Sequence, residues 1–248
     1  MKKIILYIIL FISCQLCFPQ AEMDSVEMRL ISLRQDYLDS AYNFDDYSYN
    51  LSDKFLTELK HDLVKYPETF DYKFDSLKTM MNIVISEDSL VKIYSWLQTI
   101  GGTWHDLQSV VQFKTGTGID TISLNTNKEA EVGGYTDASY GKIQILKAKS
   151  RKIYLITGWG THGSGQHHKI IRAFTIENNR FVEEDSLFDG KQNIVIEAPR
   201  SEDIKLVYDS KDKTITYNLY QWNDDIGYYE ATDKNAILMW NGKKFVRQ

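Results

Sequence analysis

The sequence predicts an α+β fold, mainly β, in which short N-terminal helices precede an antiparallel β-meander. Three observations predict it. Apolar residues recur at helical spacing up to residue 66 and at strand spacing from about residue 70. Turn-forming Gly, Asp, Asn and Ser recur about every ten residues from there onward. No helical run separates the later strands, and without such crossovers a parallel sheet is disfavoured.

Residues 1–21 read as an export leader. Lys2 and Lys3 form a positive start, and residues 4–12 (IILYIILFI) are an unbroken apolar run. That run falls well short of the roughly 20 residues that span a bilayer, so it reads as a signal-peptide core. Two cleavage sites compete. Phe11-Ile12-Ser13-Cys14 resembles the lipobox of bacterial lipoproteins, with Phe in place of the usual Leu. Cleavage after Ala21 instead places Pro19 where a small residue is normal. Simple secretion and a lipid anchor at Cys14 both follow from this region. Cys14 and Cys17 are the only cysteines. The body past the leader therefore has no disulfide, thiolate nucleophile or Cys-ligated metal.

Residues 22–69 form the predicted helical segment. Val26, Leu30, Leu33 and Tyr37 make one apolar stripe, and Phe55, Leu56, Leu59 and Leu63 a second. Ser52 and Asp53 are candidate caps, and Pro67 stops the second helix.

Residues 70–248 form the predicted antiparallel β domain, as a curved sheet, a sandwich or a partial propeller-like array. Phe70, Tyr72 and Phe74 open the alternation. Strand-like runs follow at 80–85, 90–96, 110–113, 120–124, 143–146, 153–157, 170–176, 180–182, 194–196, 204–208, 214–219, 236–240 and 244–246. Two hairpins look alike, 174–182 (FTIENNRFV) and 238–246 (LMWNGKKFV), each with Asn-Asn or Asn-Gly at the turn. A third lies around Asp209. Such similarity hints at duplicated sheet units, as in propeller blades. Ser86, Asp88 and Trp96 resemble in part the Asp-box turn of sialidase-like propellers, without its Gly. That device stabilises a hairpin and carries no activity.

Composition narrows the function classes. The chain has 248 residues, is 43% hydrophobic and carries a net charge of -5, which excludes a multi-span membrane protein and disfavours a nucleic-acid partner. A membrane contact is expected only through a lipid anchor.

Two regions hold candidate site residues. Residues 158–168 (GWGTHGSGQHH) carry three of the five histidines and four glycines between two apolar strands. Read as a hairpin loop, they offer His162, His167 and His168 to zinc or copper, with His162 and His167 facing each other across the turn. No cofactor is otherwise predicted. The segment lacks the helix of a phosphate loop, and His162 and Gln166 stand where a nucleophile elbow at Ser164 needs glycine two residues to either side. The C-terminal third is rich in Tyr and Trp. Residues 221–233 break the strand pattern and read as a longer loop, where binding residues concentrate. Trp222, Tyr228 and Tyr229 offer flat aromatic surfaces there, and Asp224 and Asp225 accept hydroxyl hydrogen bonds, a combination suited to sugars or to protein hot spots. Glu183, Glu184 and Asp185 are adjacent carboxylates. Neighbours on a strand point to opposite faces, so these alone cannot make the facing pair of a glycosidase.

Residues 83–103 (IVISEDSLVKIYSWLQTIGGT), together with 153–176, resemble uncharacterised exported proteins of gut-type Gram-negative bacteria. The resemblance implies a leader, a short helical stretch and a β-rich body, with no assigned activity. The expected function is an exported cell-envelope protein, in the periplasm, attached to the outer membrane or extracellular. It would act as a non-catalytic binding or structural module for a glycan, peptide or envelope protein. The alternatives are a carboxylate-dependent hydrolase of an envelope or extracellular polymer, and a His-based metal-binding protein.

Overall fold

A computed structural model describes residues 2–40, 46–98, 106–125, 137–149, 151–162, 165–225 and 227–248, with side chains from residue 20 on except those of 46–49, 106 and 162. The chain divides into two compact units, Met1–Met80 and Met81–Gln248. The fold is mainly β, with two helices first and antiparallel sheets after them, none closed into a barrel.

The first unit holds α1 (Lys2–Ser40) and α2 (Asp46–Lys65). Among the described residues no helix is long and apolar enough to cross a membrane. The two helices pack along each other, and the predicted stripe residues Val26, Leu30, Tyr37, Phe55, Leu59 and Leu63 are buried. Arg29 of α1 bonds Glu58 at 2.6 Å and also reaches the buried carboxylate of Asp62 on α2. Pro67 opens a short 3-10 turn, Pro67–Phe70, just past α2, since proline has no N–H to continue the helix.

Phe70, Tyr72 and Phe74 do not begin a strand. Phe70 ends one 3-10 turn, and Tyr72 and Phe74 lie in the link to a second at Leu77–Thr79, where Phe74 has a positive φ of 51°. The reason is a distant carboxylate. Glu27 accepts from the main-chain N–H of Ser76 at 2.9 Å and Leu77 at 2.8 Å, and from the Tyr72 hydroxyl at 2.7 Å. These bonds hold the turn against α1, and an alternation of aromatics cannot report them.

The second unit is three antiparallel meanders in chain order. The first sheet is β1 (Asn82–Ile85), β2 (Val91–Gln98), β3 (Asp106–Thr115) and β4 (Gly118–Ser123). The central sheet is β5 (Ser139–Lys147), β6 (Lys152–His162), β7 (Gln166–Glu177) and β8 (Arg180–Glu183), with β9 (Asn193–Pro199) also paired to β7. The third is β10 (Leu206–Asp209), β11 (Thr214–Asn223), β12 (Tyr228–Trp240) and β13 (Phe245–Arg247). Each of the runs expected from 80–85 onward coincides with one of these strands.

The central sheet is covered on both faces. Tyr154, Ile156, Ile170 and Phe174 pack toward Val91, Ile93, Val111 and Phe113 of the first sheet. Ile153, Leu155, Ile171 and Ala173, on the alternate positions, pack toward Ile204, Leu206, Ile215 and Leu238 beside and within the third. A strand buried on both faces reads as a continuous apolar run, as 153–156 does and as 170–174 does with Arg172 alone interrupting it. The result is three antiparallel sheets packed in layers, a five-stranded one between two of four strands.

The turns are built by their own side chains. Asn178 and Asn179 both adopt positive φ, 50° and 60°, the conformation of a two-residue hairpin turn. The similar segment at Asn241 turns differently: its side chain accepts from the N–H of Lys243 and Lys244, and Gly242 alone is left-handed. Ser86 and Asp88 bond each other and cap the N–H groups of Leu90 and Val91. Asp88 also accepts from Lys152 at 2.9 Å and Tyr154 at 3.1 Å, which ties the first turn to the central sheet. Burial opposes its ionisation, yet the bonds from Lys152, Ser86 and Tyr154 hold its carboxyl below the usual range.

Candidate functional site

The histidine segment is not a loop. Strand β6 runs through His162 and β7 starts at Gln166, so only residues 163–165 connect them. The glycines sit in the strand because rings lie against them. A Cβ on Gly158 would come within 2.7 Å of Tyr140, and one on Gly160 would overlap the His168 ring and lie 2.6 Å from the Asp137 carbonyl. His168 is fully buried, with Nε2 3.0 Å from that same carbonyl. His167, next along the strand, points to the opposite face, where its Nδ1 accepts from Trp159 Nε1 at 2.9 Å. Burial lowers its pKa and favours the neutral ring that this bond requires. The register pairs His162 with Gln166 and His167 with Thr161, so the expected facing pair does not form. The side chain of His162 lies outside the described residues. His167 and His168 therefore cannot share one ion. The grouping of metal-ligand geometry among the described residues is Glu58, His61 and Asp62, and the Arg29 guanidinium already bonds two of its members.

The C-terminal candidates also lie on strands rather than on a long loop. Strands β11 and β12 continue past their sheet as a two-stranded arm, β11 ending at Asn223 and β12 beginning at Tyr228. A bulge between Asn218 and Tyr220 marks where the arm departs, and Thr232 Oγ1 bonds the Leu219 carbonyl there at 2.8 Å. Trp222 pairs with Tyr229 across the arm, their rings edge to face at 5.2 Å. Trp222 is 44% exposed and Tyr228 37%. Asp224 accepts from Trp222 Nε1 at 2.8 Å, and the N–H of Asp225 bonds Asn223, so both acids help to build the turn. The adjacent carboxylates after β8 are engaged too. Glu183 pairs with Arg172, and Glu184 with Arg151 at 2.9 Å.

Tyr229 leads to a site that the sequence reading missed. Its side chain lies beside Glu197 of β9, across a cleft of about 670 Å³ between β9 and the third sheet. Asn193, Val195, Glu197, Tyr217, Tyr220 and Tyr229 line it. Burial pushes the Glu197 carboxyl above its usual range, and the nearby Tyr229 hydroxyl offsets only part of that. One signal was present: Glu197 is the lone charge in the apolar run 194–198 (IVIEA). Tyr217 and Tyr220 stood within the aromatic-rich third but carried no mark separating cleft from core.

A pH experiment checks this environment. A carboxyl with a raised folded pKa supports the fold below its ordinary value, near 4.5, and that support fades as pH rises through the raised value. Glu197→Gln keeps an acceptor for Tyr229 and cannot ionise. Its thermal midpoint will match wild type below that ordinary value and equal or exceed it at neutral pH. A variant less stable than wild type only at neutral pH would show that the charged form is the favoured one.

Compared with known proteins, the chain matches no family model, no curated protein and no solved structure.

Proposed function

We propose that this protein is an exported, non-catalytic binding module of the cell envelope that takes its ligand into the cleft between β9 and the third sheet. The observation that carries the reading is the cleft itself. It has three tyrosines, a half-buried acid and an open flank, and lies beside an arm that presents Trp222 and Tyr228 to solvent. Concave, partly aromatic surfaces with a few oriented polar groups are the usual form of a ligand site. The export part of the reading rests on Lys2, Lys3 and the apolar run 4–12.

Two measurements test it. Fractionation of cells expressing the full chain should recover a shortened product in the envelope or medium, and an untrimmed cytosolic product would overturn export. The full chain should bind a ligand on a glycan or peptide array, and Tyr229→Ala should abolish that binding. Silence on both arrays, or binding indifferent to Tyr229, would remove the cleft as the site. Product release from chromogenic oligosaccharides that stops in Glu197→Gln would replace binding with hydrolysis.

A further inference from the structure

We infer that the ligand of the cleft is an extended polypeptide segment, added as a strand to the outer edge of β9. The inference rests on the proposed ligand site and names its partner class. Among the described residues β9 pairs with β7 alone. The bond from Arg200 N–H to the Gly165 carbonyl, at 2.8 Å, sets the phase of that ladder. Ile194, Ile196 and Ala198 then turn their main chain toward β7, while Asn193, Val195 and Glu197 turn theirs outward. All three outward residues line the cleft.

Two of the cleft's side chains are already engaged with each other: Asn218 accepts from Lys205 N–H at 2.9 Å and donates to the Tyr220 hydroxyl at 2.9 Å. The outward main chain of Asn193 and Val195 adds donors and acceptors with the regular spacing of a strand edge. The stretch 193–197 suits a guest of about five residues, roughly 17 Å long.

Charge sets the guest's direction. Lys191 and Arg247, outnumbering Asp189, line the end where β9 begins, and Glu197 lies near the end where it stops. An antiparallel guest brings its carboxyl end to the cations and its amino end to Glu197. The tyrosine rings then face alternate side chains of the guest, as in other strand-addition sites.

The test uses the full chain and an array of seven-residue peptides with alternating aliphatic and polar residues and free termini. Val195→Pro removes one outward N–H and leaves the β7 ladder whole. It should weaken peptide binding by about tenfold, as should N-methylation of the guest amide that faces the Val195 carbonyl, while Val195→Thr stays within about twofold. Peptide binding that Tyr229→Ala abolishes but neither backbone change affects would overturn strand addition and keep the cleft. A glycan that alone binds there would do the same. Binding indifferent to Tyr229→Ala removes both readings. Should Val195→Pro fail to fold, the N-methylated guests decide. A doubling of mass in solution that Val195→Pro reverses would make the guest a second copy and overturn the foreign partner.

Discussion

Arg172→Met will destabilise the β unit by about 3–5 kcal/mol, because it strands a partly buried carboxylate. The guanidinium donates to Glu183 through Nε at 2.7 Å and Nη2 at 2.5 Å, and through Nη1 to the Leu124 carbonyl and the Tyr140 hydroxyl, both at 3.0 Å. It also lies 5.0 Å from the centre of the Phe174 ring. Leu124 directly follows the last strand of the first sheet, so one side chain joins two layers of the stack. Only 13% of the Arg172 side chain and 18% of Glu183 reach solvent, so water cannot replace the lost bonds cheaply. The double variant Arg172→Met/Glu183→Leu removes both charges and should recover most of the loss. Urea unfolding checks this through the midpoint at constant slope. A loss below about 1 kcal/mol in the single variant would place the pair among hydrated surface bridges.

Gly160→Ala is the second large effect, and its sign is diagnostic. In an open strand, alanine should stabilise by roughly 0.5–1 kcal/mol, since glycine loses more freedom on folding. Here the new methyl overlaps the His168 ring and lies 2.6 Å from the Asp137 carbonyl. Overpacking of this kind costs about 1–3 kcal/mol, so a net loss is expected. Adding His168→Ala should restore only part of it, because the carbonyl is main chain and stays in place. Thermal unfolding of the two variants decides the matter. A Gly160→Ala protein as stable as wild type would mean that the ring has room to move.

These two positions show how unevenly the sequence could be read. The strand-like runs at 153–157 and 170–176 identified two strands, and the structure buries both faces of each. Gly158 and Gly160 broke the same signal, because low strand propensity suggests a loop. What keeps them extended is the close approach of Tyr140 and His168, which appears only after folding. Residues 221–233 misled for a related reason. A two-stranded arm that is mostly exposed needs no apolar alternation, and cross-strand pairs such as Trp222 with Tyr229 hold it instead. Among the candidate site residues, Tyr229 proved to line the cleft, and its partner Glu197 went unnoticed.

By itself the sequence determined the order of helices and strands and most of the turns between neighbouring strands. Each depends on neighbours within a few residues, through apolar period and side-chain bonds to the local main chain. Only the tertiary structure decided that Glu197 lies beside Tyr229, that His167 and His168 face apart across a filled strand, and that β9, among the described residues, pairs with β7 alone. Those outcomes follow from sheets stacking face to face. Contacts between layers join residues tens of positions apart, and the residues that meet carry no shared local signal.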